Sequence, residues 1–293
     1  MLNHHRRAIR GKLTRTFRPW IQFVGTVYCL TVLAACAGLS PAPVAPPTSV
    51  PEVLPGILQG YLALSDAPDS DFLLPKPPST DSSAFAADQE MYRKTRSLKN
   101  TPRWALAIQD ATLSFPEAAG HFACAAGIDI NPSATPHLYM LLRRTLADAG
   151  YATYKAKKHY QRPRPFMVHG EPSCKPEDED NLRRDGSYPS GHTAIGWTWA
   201  LILAELMPER SDVILKRGYA FGQSRVICGA HWQSDVTAGR MIAAAVVAKL
   251  HTEPVFRAQL EAAKHELASI GAGGLQPADC AVQNAAMVCD QGL

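Results

Sequence analysis

The chain has 293 residues, of which 46% are apolar, 19% charged and 8% aromatic. This composition excludes a disordered, fibrous or polytopic membrane protein and allows a full hydrophobic core. The formal net charge is +4, but six cations lie before residue 19 and no acid precedes Glu52, so the chain after residue 35 has 24 cations and 26 acids, a net charge of −2. That balance gives no electrostatic indication of a nucleic-acid-binding surface.

The N-terminal segment is predicted to be an export signal. A basic run is followed by an apolar stretch, Pro19–Ala35, which is short for a membrane span and ends in small residues. The sequence Leu-Ala-Ala-Cys at 33–36 resembles the lipobox of bacterial lipoproteins. We therefore predict a signal peptide over residues 1–35, lipidation of Cys36 and a periplasmic protein anchored to the outer membrane. Simple cleavage near Ala35 and an uncleaved membrane anchor are the alternatives.

Residues 36–63 are predicted to form a proline-rich tether. Six prolines occur between Ser40 and Gly56, a density that disfavours helix and sheet and favours extended polyproline II structure. We expect the folded domain to begin between Gln59 and Leu73, and we place it at residues 64–268.

Helical patterns dominate that domain, and alternating strand patterns are almost absent from it. Thr135 followed by Pro136 predicts a helix cap with proline in the first turn, and leucines recur on one face after it. Further helices are predicted at residues 83–98, 102–111, 191–206, 211–226, 234–250 and 254–268. The expected fold is all-α, a compact bundle of about seven or eight helices in a single domain.

The tail, residues 269–293, contains a glycine-rich run and two of the five cysteines that follow Cys36. Export to an oxidising compartment allows disulfide bonds to form. We predict a bridge between Cys280 and Cys289, with Cys174 and Cys228 as a further candidate pair. No CxxC motif occurs, which disfavours a zinc knuckle or a thioredoxin-like site.

Three short clusters contain the residues best suited to chemistry. They are Lys157 with Arg164-Pro165, then Pro189-Ser190-Gly191-His192, and finally Ser224-Arg225 with His231 and Asp235. Each cluster has an ordinary interpretation when it is taken alone. The first, with Lys158 and Arg162, is typical of a solvated basic face, the second of a helix cap, and the third of a surface ion pair.

Together the clusters supply what transfer of a phosphoryl group requires. Lys157, Arg164 and Arg225 are cations that can neutralise the oxygens of one phosphate. The amides of Ser190 and Gly191, at the start of a predicted helix, would add neutral donors to the same anion. Two histidines remain for nucleophilic attack and proton transfer.

The pattern K-x6-RP, PSGH and SR-x5-H-x3-D resembles the signature of the PAP2 superfamily. The longer stretches GSYPSGHTAIGW and LKRGYAFGQSRVICGAHWQSDV resemble its class A bacterial non-specific acid phosphatases, and the resemblance covers residues 64–268. It implies that His231 is the nucleophile, that Asp235 orients His231, and that His192 is the general acid and base. It also implies a set of phosphate-binding residues: Lys157, Arg164, Ser190, Gly191 and Arg225.

The resemblance implies a metal-independent acid phosphatase with no cofactor, which acts on a broad range of small phosphate monoesters through a phosphohistidine. It also implies phosphotransferase side activity and a homodimer, with no nucleic-acid partner and with membrane contact only through the lipid anchor. The alternative is a vanadium-dependent haloperoxidase that uses the same anion-binding residues.

Other classes fit the sequence less well. A metallophosphatase would have to group His159, His169, His192 and His231 with Asp180 or Asp185, but ligands at paired spacings are missing. A serine hydrolase lacks the G-x-S-x-G motif, and a lipid phosphatase lacks an apolar run of transmembrane length after residue 36. We expect His159 and His169 at the rim of the site and the remaining helical histidines on the surface; these are His121, His137, His251 and His265.

Overall fold

The computed structural model describes residues 45–47, 49–270 and 280–289, and the regular structure within them is almost entirely helical. The predicted signal peptide and Cys36 lie outside the described residues. The described helices are α1 (Ser70–Leu73), α2 (Ser83–Arg96), α3 (Pro102–Gln109), α4 (Ala123–Ala126), α5 (Pro136–Tyr151), α6 (Tyr154–Tyr160), α7 (Pro165–His169), α8 (Glu179–Leu182), α9 (Gly191–Leu206), α10 (Ser211–Ile227), α11 (Gln233–Leu250), α12 (Pro254–Ile270) and α13 (Ala281–Cys289). Short 3-10 helices lie at Glu117–Phe122, Pro176–Asp178 and Pro208–Arg210. The all-α prediction is confirmed.

The long helices begin and end within about two residues of the predicted positions. Local caps explain this agreement. The hydroxyl of Ser82 accepts a hydrogen bond from the amide of Phe85 at 3.1 Å, and the hydroxyl of Ser190 accepts one from the amide of Thr193 at 3.3 Å. Each cap satisfies an amide that the first turn of a helix leaves without a partner, so these boundaries can be predicted from neighbouring residues.

Helix α5 begins where it was predicted, but the predicted cap is wrong. The hydroxyl of Thr135 donates to the carbonyl of Asn131 at 3.0 Å instead of binding its own helix. The carboxylate of Glu266, on α12, accepts hydrogen bonds from the amides of His137 and Leu138 at 2.9 and 3.0 Å. A cap supplied by a residue so distant in sequence leaves no local pattern.

Helix α9 lies at the centre of the bundle and packs against α5, α10 and α11. It is apolar on nearly all sides, as a helix surrounded by other helices must be. Two glycines allow close packing here. A Cβ added to Gly196 would lie 2.2 Å from the ring of Phe221, and one added to Gly239 would lie 2.7 Å from the carbonyl oxygen of Ser190. Within the described residues, no helix combines the length and apolarity needed to cross a membrane.

The structure differs from the prediction in the proline-rich segment. Strands β1 (Glu52–Leu54) and β2 (Ile57–Leu58) pair antiparallel and form what we call the N-terminal hairpin. Pro55 and Gly56 form the turn between the strands, with Gly56 at a φ of +79° that glycine adopts without strain. Regular structure therefore begins at Glu52, before Gln59, the earliest predicted start of the folded domain. The physical reason is that a Pro-Gly pair favours a tight turn, which allows two short strands to pair even in a proline-rich sequence.

Buried ionic groups hold the segment after the hairpin against α5. The guanidinium of Arg144 donates to the carbonyls of Gln59 and Gly60 at 3.1 and 2.7 Å. The carboxylate of Asp148 accepts hydrogen bonds from the amides of Tyr61 and Leu62 at 3.0 and 2.9 Å. The expected extended tether is thus replaced, over its last residues, by backbone that is fixed to the helical bundle.

Two disulfide bonds join distant parts of the described chain. The predicted candidate Cys174–Cys228 is present and links the segment before α8 to the end of α10. The predicted Cys280–Cys289 bridge is wrong, because Cys280 forms its disulfide with Cys124, which is 156 residues away in the sequence. Disulfides are typical of proteins that fold outside the cytoplasm.

Candidate active site

The fold brings the three sequence clusters together. Lys157 lies on α6, Arg164 immediately precedes α7, Ser190 caps α9, Arg225 lies in the last turn of α10, and His231 and Asp235 lie on either side of the start of α11. We call Lys157, Arg164 and Arg225 the cation cluster, and Arg164 is close enough to the other two for its charge to lower the pKa values of both. The clusters thus converge on one buried, positively charged region.

The interpretation of the first cluster as a solvated basic face is wrong for most of its members. Lys157 is 4% exposed and Arg164 1% exposed, and Arg162 is also buried. Only Lys158 is exposed. Burial of several cations costs free energy unless each one meets hydrogen-bond acceptors or an anion.

Backbone carbonyls and one carboxylate hold Lys157 and Arg164 in place. The ammonium of Lys157 donates to the carbonyl of Gly186 at 2.5 Å and pairs with the carboxylate of Asp185 at 3.0 Å. Arg164 donates to the carbonyls of Leu182 and Ala230 at 2.9 and 3.0 Å. Burial, followed by the charge of Arg164, lowers the pKa of Lys157 to about 8.

Arg225 is different because part of its guanidinium has no acceptor. The side chain is buried, and its Nε and Nη1 have no hydrogen-bond partner among the described residues. Burial and the charge of Arg164 lower its pKa to about 10, which keeps it a cation at neutral and acidic pH. Two unpaired donors on a buried cation fit an anion, which would accept both hydrogen bonds.

Hydrogen bonding defines the tautomer of His231. Its Nε2 lies 3.0 Å from Nη1 of Arg164, and because a guanidinium only donates, Nε2 must present its lone pair. The hydrogen is therefore on Nδ1, which lies 3.4 Å from the hydroxyl of Ser187 and 3.5 Å from a carboxylate oxygen of Asp235. The imidazole thus directs its Nε2 lone pair at Arg164, a member of the cation cluster.

Burial and the neighbouring cations determine the protonation state of His231. Burial comes first, and then the charges of Arg164, Lys157 and Arg225, and together they hold the pKa of His231 well below its ordinary value. His231 is consequently neutral at neutral pH, as a nucleophile must be.

Two residues that the sequence reasoning did not select complete the surroundings of Asp235. Arg162 donates to one carboxylate oxygen at 2.6 Å, while the hydroxyl of Ser187 and the amide of Trp232 donate to the other. Arg162 also bonds to Asp88 on α2 at 2.8 Å. Arg162 lies within the K-x6-RP pattern and Ser187 within GSYPSGHTAIGW, and this proximity to the motifs was the only available signal.

His192 lies in the first turn of α9 and is held by the chain before α4. Its Nε2 is 3.0 Å from the carbonyl oxygen of Ala111. Because a carbonyl only accepts, Nε2 carries the hydrogen in the neutral ring and Nδ1 has the lone pair. Burial and the charge of Arg225 hold the pKa of His192 well below its ordinary value.

The predicted amide donors at the start of α9 differ in their present partners. The amide of Ser190 donates to the carbonyl of Asp235 at 3.0 Å, and phosphate binding by Ser190 stays a prediction. Gly191 is the first residue of the helix, and its amide has no acceptor within that helix. A Cβ at Gly191 would lie 3.7 Å from the hydroxyl of Thr153 and 3.9 Å from Cε of Lys157, so this glycine borders Lys157 directly.

The other histidines lie outside this arrangement. His159 pairs with Asp71 at 2.6 Å, and His169 stacks on the ring of Tyr92 with centroids 4.2 Å apart. The prediction that His121 lies on the surface is wrong, because its side chain is only 9% exposed and bonds to the carbonyl of Thr112. In the part of the chain that the structure describes, no three His, Cys, Asp or Glu side chains are grouped to hold a metal ion.

Comparisons with known proteins agree with the motifs. Residues 137–256 match the family model of the PAP2 superfamily. The chain is 50% identical over 211 residues to the non-specific acid phosphatase of Providencia stuartii, an alignment that covers 72% of this chain and 85% of that protein. It is 46% identical to the non-specific acid phosphatase of Salmonella typhimurium, with 72% and 84% covered, and 42% identical to the acid phosphatase of Zymomonas mobilis, with 73% and 81% covered.

Proposed function

Because this chain belongs to the PAP2 superfamily and is a non-specific acid phosphatase, we propose that it hydrolyses phosphate monoesters through a phosphohistidine formed on Nε2 of His231. The observation that carries this proposal is the lone pair of His231 directed at a buried cation cluster in which Arg225 keeps two donors without acceptors. The catalytic steps follow from the surroundings of these groups.

The cation cluster would bind the phosphate. Arg225 offers Nε and Nη1, two donors of its guanidinium that have no acceptor among the described residues, and Arg164 and Lys157 border the same region. The amide of Gly191 would add a neutral donor. The distribution of negative charge over the equatorial oxygens differs between the bound ester and the transition state. Donors fixed in positions that suit the transition state stabilise it more than they stabilise the bound ester, and this lowers the barrier.

His231 would then attack phosphorus in line with the ester oxygen. A bond forms between Nε2 and phosphorus while the bond to the leaving oxygen breaks, so the ring becomes positively charged. Oxygen atoms of Asp235 and Ser187 accept hydrogen bonding from the Nδ1–H group, and the carboxylate stabilises the positive charge of the ring. Arg162 holds Asp235 from the other side, which makes it a positioning residue.

His192 would manage the protons. Protonated at Nδ1, it donates a proton to the leaving alkoxide, and in the second step it accepts one from the water that hydrolyses the phosphohistidine. An alcohol in place of that water would give phosphotransfer. Three fixed cations do the neutralisation in this scheme, so activity is expected to persist in EDTA.

The test is to trap the intermediate. The wild-type enzyme and the variants His231→Ala, His231→Gln and His192→Ala are mixed with ³²P-labelled phenyl phosphate, quenched within milliseconds and analysed by mass spectrometry. We expect an acid-labile phosphohistidine at residue 231 in wild type, its accumulation in His192→Ala and its absence in both residue-231 variants. A phosphoryl group on any other residue, or near wild-type turnover by His231→Ala, would show the nucleophile to be misassigned.

The cellular setting is a further part of the proposal. Two disulfides and the predicted signal peptide support export to the periplasm, with Cys36 lipidated. Radioactive fatty acid should label the wild-type chain and not Cys36→Ala. A homodimer is also proposed, and light scattering on the purified protein measures its mass directly.

A further inference from the structure

An apolar cleft of about 390 Å³ lies between the N-terminal hairpin, helix α5 and helix α9. Its walls include Leu54, Phe115, Leu146, Tyr154 and Ile195. This volume is within the range of small-molecule binding sites, and it would accommodate a substituent of the size of an aromatic ring. None of the proposed catalytic steps uses this cleft.

Three residues that line the cleft lie close to residues of the candidate active site. Ile195 lies one helical turn after His192 on α9. Leu113 follows closely after Ala111, the residue whose carbonyl binds His192. Tyr154 is near enough to Asp185, the partner of Lys157, for that carboxylate to raise its pKa. The cleft therefore lies next to the candidate active site, one helical turn from His192 along α9 and one helical turn from Lys157 along α6.

The cleft also has a rigid aromatic wall and a cationic side chain, that of Arg143. The ring of Phe115 packs edge-to-face against Tyr139 and Trp199, with centroids 5.3 and 6.0 Å apart. Arg143 donates to the carbonyl of Gly56 at 3.3 Å, and its Nε is buried without a hydrogen-bond partner among the described residues. An apolar cleft with an unpaired donor at its wall suits an aromatic group that carries an acceptor.

We propose that this cleft binds the leaving group of the substrate and gives the enzyme a preference for phosphate esters of aromatic or bulky apolar alcohols. This inference rests on the proposed function, because His192 must stand beside the leaving oxygen. Burial of a phenyl ring in the cleft stabilises both the bound substrate and the bound transition state relative to the free enzyme and substrate. The preference for aromatic esters is therefore expected in kcat/KM.

Gly150 offers a direct test. It lies on the cleft wall in α5, and a Cβ added there would meet only Cδ1 of Ile195, at 3.9 Å. Gly150→Leu therefore fills the cleft without straining the helix, and Gly150→Ala is the matched control that adds one methyl group. Thermal unfolding of both variants monitors folding.

The measurement is kcat/KM for benzyl phosphate and methyl phosphate, whose alcohols have similar acidity and differ by one phenyl ring. Wild type should prefer benzyl phosphate by on the order of tenfold or more. Gly150→Leu should lose most of this preference and Gly150→Ala should keep it. An equal rate for both esters in wild type, or an unchanged preference in Gly150→Leu, would overturn the proposal.

Inorganic phosphate separates the two proposals. As a competitive inhibitor it contacts the cation cluster and not the cleft, so its inhibition constant reports the phosphate site alone. A lost benzyl preference with an unchanged inhibition constant supports the cleft assignment, and parallel changes in both contradict it. If no phosphohistidine is trapped while the benzyl preference depends on Gly150, the proposed mechanism fails and the cleft assignment stands.

Discussion

Two neighbouring residues of helix α10 direct their side chains into different buried clusters. Ser224 belongs to one in which every charge has a partner. Its hydroxyl donates to Asp110 at 2.6 Å and accepts from Arg103 at 2.9 Å, and Arg217 pairs with both oxygens of the Asp110 carboxylate. Arg225, the next residue, keeps two buried donors without acceptors among the described residues.

The difference separates structural from functional use of buried charge. A cation that is neutralised by a carboxylate of its own chain stabilises the fold only as long as both partners remain. A cation whose donors are left unpaired costs stability, and the cost is recovered when an anion binds. The same helix therefore has a self-sufficient charge cluster on one side and a ligand-dependent one on the other.

Arg225→Met should produce the largest effect on catalysis. It removes the donors proposed to bind the equatorial oxygens, so kcat/KM for p-nitrophenyl phosphate should fall at least about a thousandfold, on the order of 4 kcal/mol. Because the buried charge is lost with its unpaired donors, the melting temperature should not fall. Arg225→Lys, which keeps the charge but not the planar guanidinium, should be intermediate, and more than a tenth of wild-type activity in Arg225→Met would contradict the assignment.

Arg217→Met is the matched substitution on the structural side of α10. It leaves the carboxylate of Asp110 buried without its main cation, so the free energy of unfolding should fall by about 3 to 5 kcal/mol. Urea denaturation measures the loss. The comparison between the two clusters fails if Arg217→Met is as stable as Arg225→Met.

Asp148 gives a pH-dependent effect on stability. Burial raises its pKa to about 6, despite hydrogen bonds from two amides and the charge of Arg144, while Glu253 adds to the rise. A raised acid pKa means that protonation favours the folded state, so this contribution is full below about pH 4 and is lost as the pH rises through about 6. Relative to Asp148→Asn, wild type should lose roughly 2 to 3 kcal/mol between pH 4 and 7. A constant difference in unfolding free energy across this range would contradict the buried-acid interpretation.

The pH dependence of turnover should show the smallest of these effects. The pKa values of His231 and His192 are both held well below the ordinary imidazole value, so the maximum of kcat/KM is expected on the acidic side of pH 6.5. Lys157→Met removes one of the cations that lower the pKa of His231, and the acidic limb should move upward by about one pH unit or less. A downward shift, or a rate that rises above pH 8, would be inconsistent with a neutral His231 as nucleophile.

Much of this protein could be predicted from local sequence. Helix boundaries followed from caps and apolar periodicity, because the groups that end a helix are close neighbours in the chain. The motif residues Lys157, Arg164, Arg225 and His231 could be selected because their types and spacing match a known signature.

Interactions between remote residues could not be predicted in the same way. The cap of α5 by Glu266, the disulfide of Cys280 with Cys124, and the support of Asp235 by Arg162 each join segments separated by many residues. The sequence shows which helix ends, cysteines and charged side chains need a partner. It does not show which distant residue becomes that partner in the fold.

Local sequence was thus sufficient for the helices and for the inventory of chemical groups, since both depend on residues within a few positions of one another. Tertiary packing decided which of the buried cations are neutralised by the chain and which keep donors for an anion, because Arg217 and Arg225 have the same side chain on the same helix. It also placed the N-terminal hairpin against α5 and so formed the apolar cleft, a surface that exists only when segments about 90 residues apart are in contact.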